Sequence, residues 1–270
     1  MKTLLDKLSR TAWQPVTPRG VTAFARATPS RLLLVQLIVA LSVAASAGWF
    51  VQTAWLPVVR EALGALPAEG EIRHGQLVWR GDTPMRLASN NFLSLAVDLW
   101  HEGGLGNESH LSLELGRTNI RLRSLLGYTE LDYPHGWIIA LNRTELVPWW
   151  GAWETWILLC TGAAVALALL VTWALLATLY FLPLWLLAFY ANRDLNFRQS
   201  WRLAGAALMP GALWMAAAII VHGLGVFDLV ELGAAFSFHF VIGWIYALAG
   251  VLLSPRHPET VQSKNPFARP

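Results

Sequence analysis

Four stretches of the 270-residue chain carry no charged side chain. They lie between Arg31 and Arg60 (28 residues), Glu154 and Arg193 (38), Arg202 and Asp228 (25), and Glu231 and Arg256 (24). About 20 apolar residues cross ~30 Å of hydrocarbon as a helix, the form that satisfies its own backbone hydrogen bonds in lipid. The pattern predicts an α-helical integral membrane protein with four transmembrane helices, at 32–59, 149–182, 203–227 and 232–254. A cleavable leader is the competing reading of the first run, with Ala45-Ser46-Ala47 as the cut. The apolar run continues past that point through Trp49, Phe50 and Trp55 to Val59, which favours a retained anchor. The second run, at about 1.5 Å per residue, measures roughly 57 Å. That length fits one span with a protruding end or two spans turning near Pro183.

Between the first two spans the period changes from helical to two. Glu71–Arg80 alternates around Ile72, Leu77 and Trp79, with Gly75 as a turn or bulge. Phe92–Leu99, His110–Leu115 and Thr118–Arg123 also alternate, and Trp137–Leu141 is a short apolar run. Alternation bounded by Gly, Asn, Asp and Pro clusters is the strand signal. Residues 60–148 therefore predict a small β-rich domain, an antiparallel sheet of about five strands. Residues 1–13 place Leu4, Leu5, Leu8 and Ala12 on one helical side and Lys2, Lys7 and Arg10 on another. This suits either an interfacial amphipathic helix or a solvated tail. Residues 255–270 are polar and proline-rich and read as a disordered tail.

Composition agrees with the membrane reading: 55% of residues are hydrophobic, 14% are charged, and mean hydropathy is +0.45. A soluble domain carries roughly 25% charged residues. One cysteine, Cys160, excludes an intramolecular disulfide and a cysteine-rich zinc module. The net charge of +3 conceals an asymmetry. With four spans and the N-terminus inside, segments 1–31, 183–202 and 255–270 hold 12 Lys/Arg and 3 acids, and the outside holds 8 and 14. The split is +9 inside and −6 outside. Basic residues crowd the cytoplasmic exits of membrane helices. Dividing the second run into two spans would put 14 of the 20 basic residues outside, so one crossing is preferred. Residues 183–202 become a cytoplasmic or interfacial helical connection, kinked at Pro183. Residues 228–231 form a short outer loop. The basic balance thus describes orientation against an anionic inner leaflet, and no nucleic-acid partner is expected.

Tryptophans favour the membrane–water boundary. Trp49, Trp55, Trp149, Trp150, Trp153 and Trp156 fall at the outer face, and Trp185 and Trp201 at the inner. Ala204, Ala207 and Gly211 in the third span, and Gly243, Ala247 and Gly250 in the fourth, recur at spacings of three and four. Small faces let helices approach closely in lipid, within one chain or between subunits.

The candidate chemistry is sparse. His222, Asp228, Glu231 and His239 cluster at the outer ends of spans three and four, and an ionisable residue in a membrane segment is a functional hypothesis by default. Two imidazoles and two carboxylates have the donor types for a metal, and His222 and His239 those for a cofactor. The competing reading makes Asp228 and Glu231 loop residues and the histidines structural. In the β region His74, His101, His110 and His135 accompany Asp98, Glu102 and Glu108, with no zinc-enzyme spacing among them. No phosphate-binding, dinucleotide or nucleophile-elbow motif is present. No cofactor is expected.

Laid out this way, the chain resembles a family of uncharacterised bacterial polytopic membrane proteins, one member of which is named for maltodextrin utilisation. The resemblance rests on Leu66-Pro67 before Glu71–Leu77, on Thr83-Pro84, on Leu95-Ala96-Val97-Asp98, and on the block Trp201–Trp214 containing Ala207-Leu208-Met209-Pro210. It implies an N-terminal span, an outside domain of this size and a C-terminal block of spans; the family has no agreed activity to transfer. The expectation is a non-enzymatic protein of the bacterial cytoplasmic membrane with both termini inside. It would be a structural or accessory subunit in contact with the bilayer and with other membrane subunits, alike or different. The alternatives are a cofactor- or metal-bearing subunit and a transporter accessory subunit.

Overall fold

The computed structural model describes residues 13–101, 109–125 and 127–256. The expected helix at 1–13, apart from its last residue, the glycine-rich turn at 103–107 and the tail beyond 256 lie outside the described residues. The chain divides into two compact units, one drawn from Met1–Ala47 and Thr161–Pro270 and one from Gly48–Cys160.

Among the described residues, four helical stretches are long and apolar enough to cross a membrane: Pro29–Ala65, Arg143–Tyr190, Phe197–Gly223 and Leu229–Leu253. The first comprises α2 (Pro29–Phe50), a π-helical turn (Val51–Trp55) and α3 (Leu56–Ala65), after a short α1 (Pro18–Phe24). The second is one unbroken helix, α4 (Arg143–Tyr190). It runs through Pro183, so the start of the connection expected at 183–202 is helical. A proline inside an apolar helix costs one backbone hydrogen bond, and surrounding contacts can absorb that loss. The turn comes at residues 191–196, with Asn192 at φ 53°. There Asn196 caps α5 (Phe197–Ala207): its side chain accepts from the Gln199 N–H while the Gln199 side chain accepts from the Asn196 N–H. The third stretch breaks for one residue, Leu208, before α6 (Met209–Gly223), because Pro210 lacks the N–H that would continue the ladder. The fourth is α7 (Leu229–Leu253).

The helical unit buries a stripe of α4, Ala166, Trp173, Ala177, Leu184 and Ala188, against Leu203, Met209, Ala212 and Val251 and against Val35, Val39 and Val43 of α2. Steps of seven and four keep this stripe on one face of a helix. Leu167, Val171, Leu175, Leu179, Leu182 and Leu186 of the same helix remain exposed. A helix apolar all round and packed on one side only is suited to lipid, where outward leucines cost nothing. The small faces meet within the chain: a Cβ on Gly211 would lie 2.5 Å from the His239 carbonyl oxygen. One on Gly250 would lie 2.6 Å from Leu203 Cδ1, and one on Gly243 3.7 Å from the Ala207 carbonyl oxygen. Two features carry no obvious sequence signal. Gln36 is buried and donates from Nε2 to the Gly205 carbonyl at 3.1 Å. In α1, which falls in the basic segment 1–31, Val21 and Phe24 are fully buried and Thr17 caps the helix, while just beyond it Arg26 pairs with Asp194 at 2.9 Å.

The second unit holds eight strands among its described residues, in two sheets ordered β2-β1-β8 and β3-β4-β5-β6-β7. They are β1 (Gly70–Arg73), β2 (Gln76–Trp79), β3 (Met85–Ser89), β4 (Leu93–Val97), β5 (Leu111–Leu115), β6 (Asn119–Ser124), β7 (Gly127–Asp132) and β8 (Ile138–Ala140). The sequence suggested one antiparallel sheet of about five strands. Glu71–Arg80 is a hairpin, its turn made by His74 and Gly75 at φ 52° and 73°. Such a two-residue turn needs positive φ at both positions. β3 and β7 were not foreseen, and β4 pairs parallel to β5. A parallel pair requires a long return connection, here residues 98–110. Val58 and Ala62 of α3 and its C-cap Leu66 share a core with Leu87, Leu93, Val97, Ile72 and Tyr133. Burying each large aliphatic side chain contributes about 1.5–3 kcal/mol.

Candidate functional site

The four residues singled out at the outer ends of spans three and four have separate local roles. Asp228 is the N-cap of α7: its side chain accepts from the Glu231 N–H at 2.7 Å, and the Glu231 side chain accepts from the Asp228 N–H at 2.9 Å. A carboxylate at a helix N-terminus is favoured by the unpaired N–H groups and by the helix dipole. That reciprocal box engages both carboxylates. His222 is 4% exposed in the last turn of α6, and its Nδ1 faces the Phe227 carbonyl at 2.9 Å. Among the described residues no three His, Cys, Asp or Glu side chains gather as a metal-holding group.

His239 differs. It sits in the third turn of α7, its Nδ1 against the Phe236 carbonyl, its ring centroid 3.8 Å from that of Phe240 and 4.9 Å from that of Phe236. A carbonyl only accepts, so in the neutral tautomer that fits this contact Nδ1 carries the proton and Nε2 keeps a lone pair. His239 lines a cavity of about 290 Å³ in the helical unit, open on the side where Phe236 and Phe240 are exposed. Val43, Trp173, Tyr180, Leu208, Met215 and Phe236 form much of the remaining wall, so α2, α4, α6 and α7 all contribute. The sequence marked His239 alone. Its neighbours in the wall, apolar apart from Thr172 and Tyr180, have no signal other than tertiary packing.

The second unit contains a polar network on one face of its five-stranded sheet. Glu114 on β5 is 5% exposed and contacts His101 Nδ1 and, at 3.3 Å, Arg123 on β6. His101 Nε2 lies 2.7 Å from Asn119 Oδ1. Asn119 in turn donates from Nδ2 to Glu130 on β7 at 3.0 Å, and Arg121 donates to Glu130 at 2.9 Å. The cross-strand register explains the grouping: Glu114 stands opposite Arg121, and Arg121 opposite Glu130. Both imidazole nitrogens are engaged, so His101 has no free lone pair for a ligand. The alternation of Thr118–Arg123 did not reveal Glu114 or His101 as neighbours of Arg121 and Arg123.

The tryptophans expected at the interfaces divide into two kinds. Trp149, Trp153 and Trp156 are exposed. Trp150 donates to Glu154 at 2.9 Å and Trp201 to Thr178 at 3.1 Å, while Trp185 stacks on Phe197 at 4.5 Å between centroids. Trp49 and Trp55 are half-buried in the first helical stretch, and Trp55 meets Phe50 edge to face.

No family model, curated protein or solved structure matches this chain. The resemblance to the polytopic family therefore rests on the quoted residues alone.

Proposed function

We propose that this chain is a non-enzymatic accessory subunit of the bacterial cytoplasmic membrane. Four spans anchor it, both termini face the cytoplasm, and residues 60–148 face outward to bind another membrane protein. The observation that carries the reading is the charge split of +9 against −6 across four apolar helical stretches. The partner role draws on the surface of the β unit. All six residues of β7 are exposed, and β7 lies at the edge of its sheet. Tyr128 and Leu131 present large apolar side chains from β7, one on each face of its sheet, and Ile138 does so from β8 at the edge of the other sheet, next to the exposed Trp137. An uncovered edge strand and a hydrophobic surface are sites where another chain pairs. Asp228 and Glu231 are engaged by the helix cap, and His101 by Glu114 and Asn119.

Thiol labelling in intact cells tests the orientation. In a Cys160→Ser background, Thr129→Cys should react with a membrane-impermeant maleimide from outside, and Gln199→Cys only after lysis. The reverse pattern overturns the topology. Purification in mild detergent tests the partner role: a solitary, monodisperse monomer with no crosslinked neighbour at Thr129→Cys overturns it.

A further inference from the structure

The cavity beside His239 has the chemistry of a ligand site. All its lining residues lie within the four candidate spans. Its wall is mainly aliphatic and aromatic, with Trp173, Tyr180, Phe236 and Phe240 supplying ring faces. Three of its lining residues carry polar side-chain atoms, at His239 Nε2, the Thr172 hydroxyl and the Tyr180 hydroxyl. None of them has a hydrogen-bond partner among the described residues; the histidine's only bond is through Nδ1. In hydrocarbon no water is at hand, and a polar group left unpaired is costly. An alkyl chain alone would fill the space and leave all three unmet. At about 290 Å³ the cavity sits at the lower end of small-molecule pockets, sized for a ring head and not for a whole lipid.

We propose that this cavity binds the head of a lipid-soluble phenol or hydroquinone whose apolar tail extends into the bilayer. The ring packs among the aromatic side chains. Its O–H donates to His239 Nε2, the lone pair left when Nδ1 donates to the Phe236 carbonyl. A ring oxygen accepts from the Thr172 or Tyr180 hydroxyl. The site is independent of any partner of the β unit, and no bond is made or broken in it.

The test uses the full chain in phosphatidylethanolamine–phosphatidylglycerol nanodiscs. The probe is 4-hexyl-1-naphthol, and its methyl ether, which has no donor, is the comparison. Uptake is measured against empty discs of the same composition. The naphthol should bind saturably at one per chain, and the ether about tenfold more weakly, the worth of one hydrogen bond. His239→Leu should weaken the naphthol about tenfold and leave the ether unchanged. Met215→Trp, which fills the cavity from α6, should abolish saturable uptake of both and carries the test if the leucine variant is not monodisperse. Uptake that stays linear and equal to empty discs overturns the proposal. So does equal binding of naphthol and ether, or saturable binding that survives Met215→Trp.

Discussion

Gly211 is where two membrane helices touch through their backbones, and adding one methyl group there measures how closely they are held. A Cβ at Gly211 would lie 2.5 Å from the His239 carbonyl oxygen and 3.3 Å from its carbon. A relaxed carbon-to-carbonyl contact sits at about 3.3–3.6 Å. In Gly211→Ala, α6 and α7 must therefore part by about 0.8–1.1 Å. No side chain can rotate away, because the opposing atom belongs to the backbone. A gap of that size forfeits about a quarter to a half of each dispersion contact across the interface, and overpacking of this kind costs about 1–3 kcal/mol. The comparison set is built into the same helices. At Gly250 the nearest atom is the flexible end of Leu203 at 2.6 Å, at Gly243 it is Leu208 Cδ2 at 3.6 Å, and Gly233 has nothing within 4 Å. The expected order of destabilisation is Gly211→Ala, then Gly250→Ala, with Gly243→Ala and Gly233→Ala near zero. Unfolding in mixed micelles of rising dodecyl sulfate fraction, followed by tryptophan fluorescence, measures it. If Gly211→Ala falls within about 0.5 kcal/mol of Gly233→Ala, the surface-substitution range, the close approach is not a determinant of packing.

Two further outcomes concern the β unit. Glu114→Gln removes the charge that His101 and Arg123 share in a nearly buried position, and should lower the thermal stability of that unit by about 1–3 kcal/mol; an unchanged melting profile by near-ultraviolet dichroism contradicts the network. Tyr133 is buried and donates to the Gly116 carbonyl at 3.0 Å, and burial raises its pKa above the ordinary tyrosine range. A raised value means the folded state favours the neutral phenol. Its contribution is therefore complete below pH ~10 and declines as pH rises further. Tyr133→Phe should cost about 1 kcal/mol at neutral pH and remove from an absorbance titration at 295 nm a phenol that ionises above the ordinary tyrosine range; a titration identical to the parent's refutes the assignment.

Much of the helical architecture was legible because a charge-free run longer than 20 residues has few alternatives in lipid. The end of the second helix was not. Pro183 was the one local signal there, and the residue that ends α4, Tyr190, has none, since a single missing N–H is a local deficit that neighbouring contacts decide. The hairpin at His74-Gly75 was readable from its glycine, and the strand periods from alternation. β7 escaped notice because all six of its residues are exposed, so burial imposes no alternation on it. The parallel pairing of β4 with β5 joins segments more than a dozen residues apart and leaves no local trace. At the candidate site, Asp228 and Glu231 carried a capping signature at spacing three that local reasoning can recognise. The wall around His239 could not be read, because apolar side chains look the same whether they face lipid, a core or a cavity.

The sequence by itself determined the number of apolar helical stretches, the uneven placement of charge around them and the existence of a β region between the first two. Those follow from one-dimensional quantities: length against bilayer thickness, charge against position, and period against secondary structure. Only the tertiary structure decided which small residues touch, that Gln36 reaches Gly205, that Glu114 holds His101 and Arg123, and that His239 opens on an apolar cavity with an unused nitrogen. Each of these joins residues distant along the chain, and local propensity carries no information about which distant neighbour a side chain will meet.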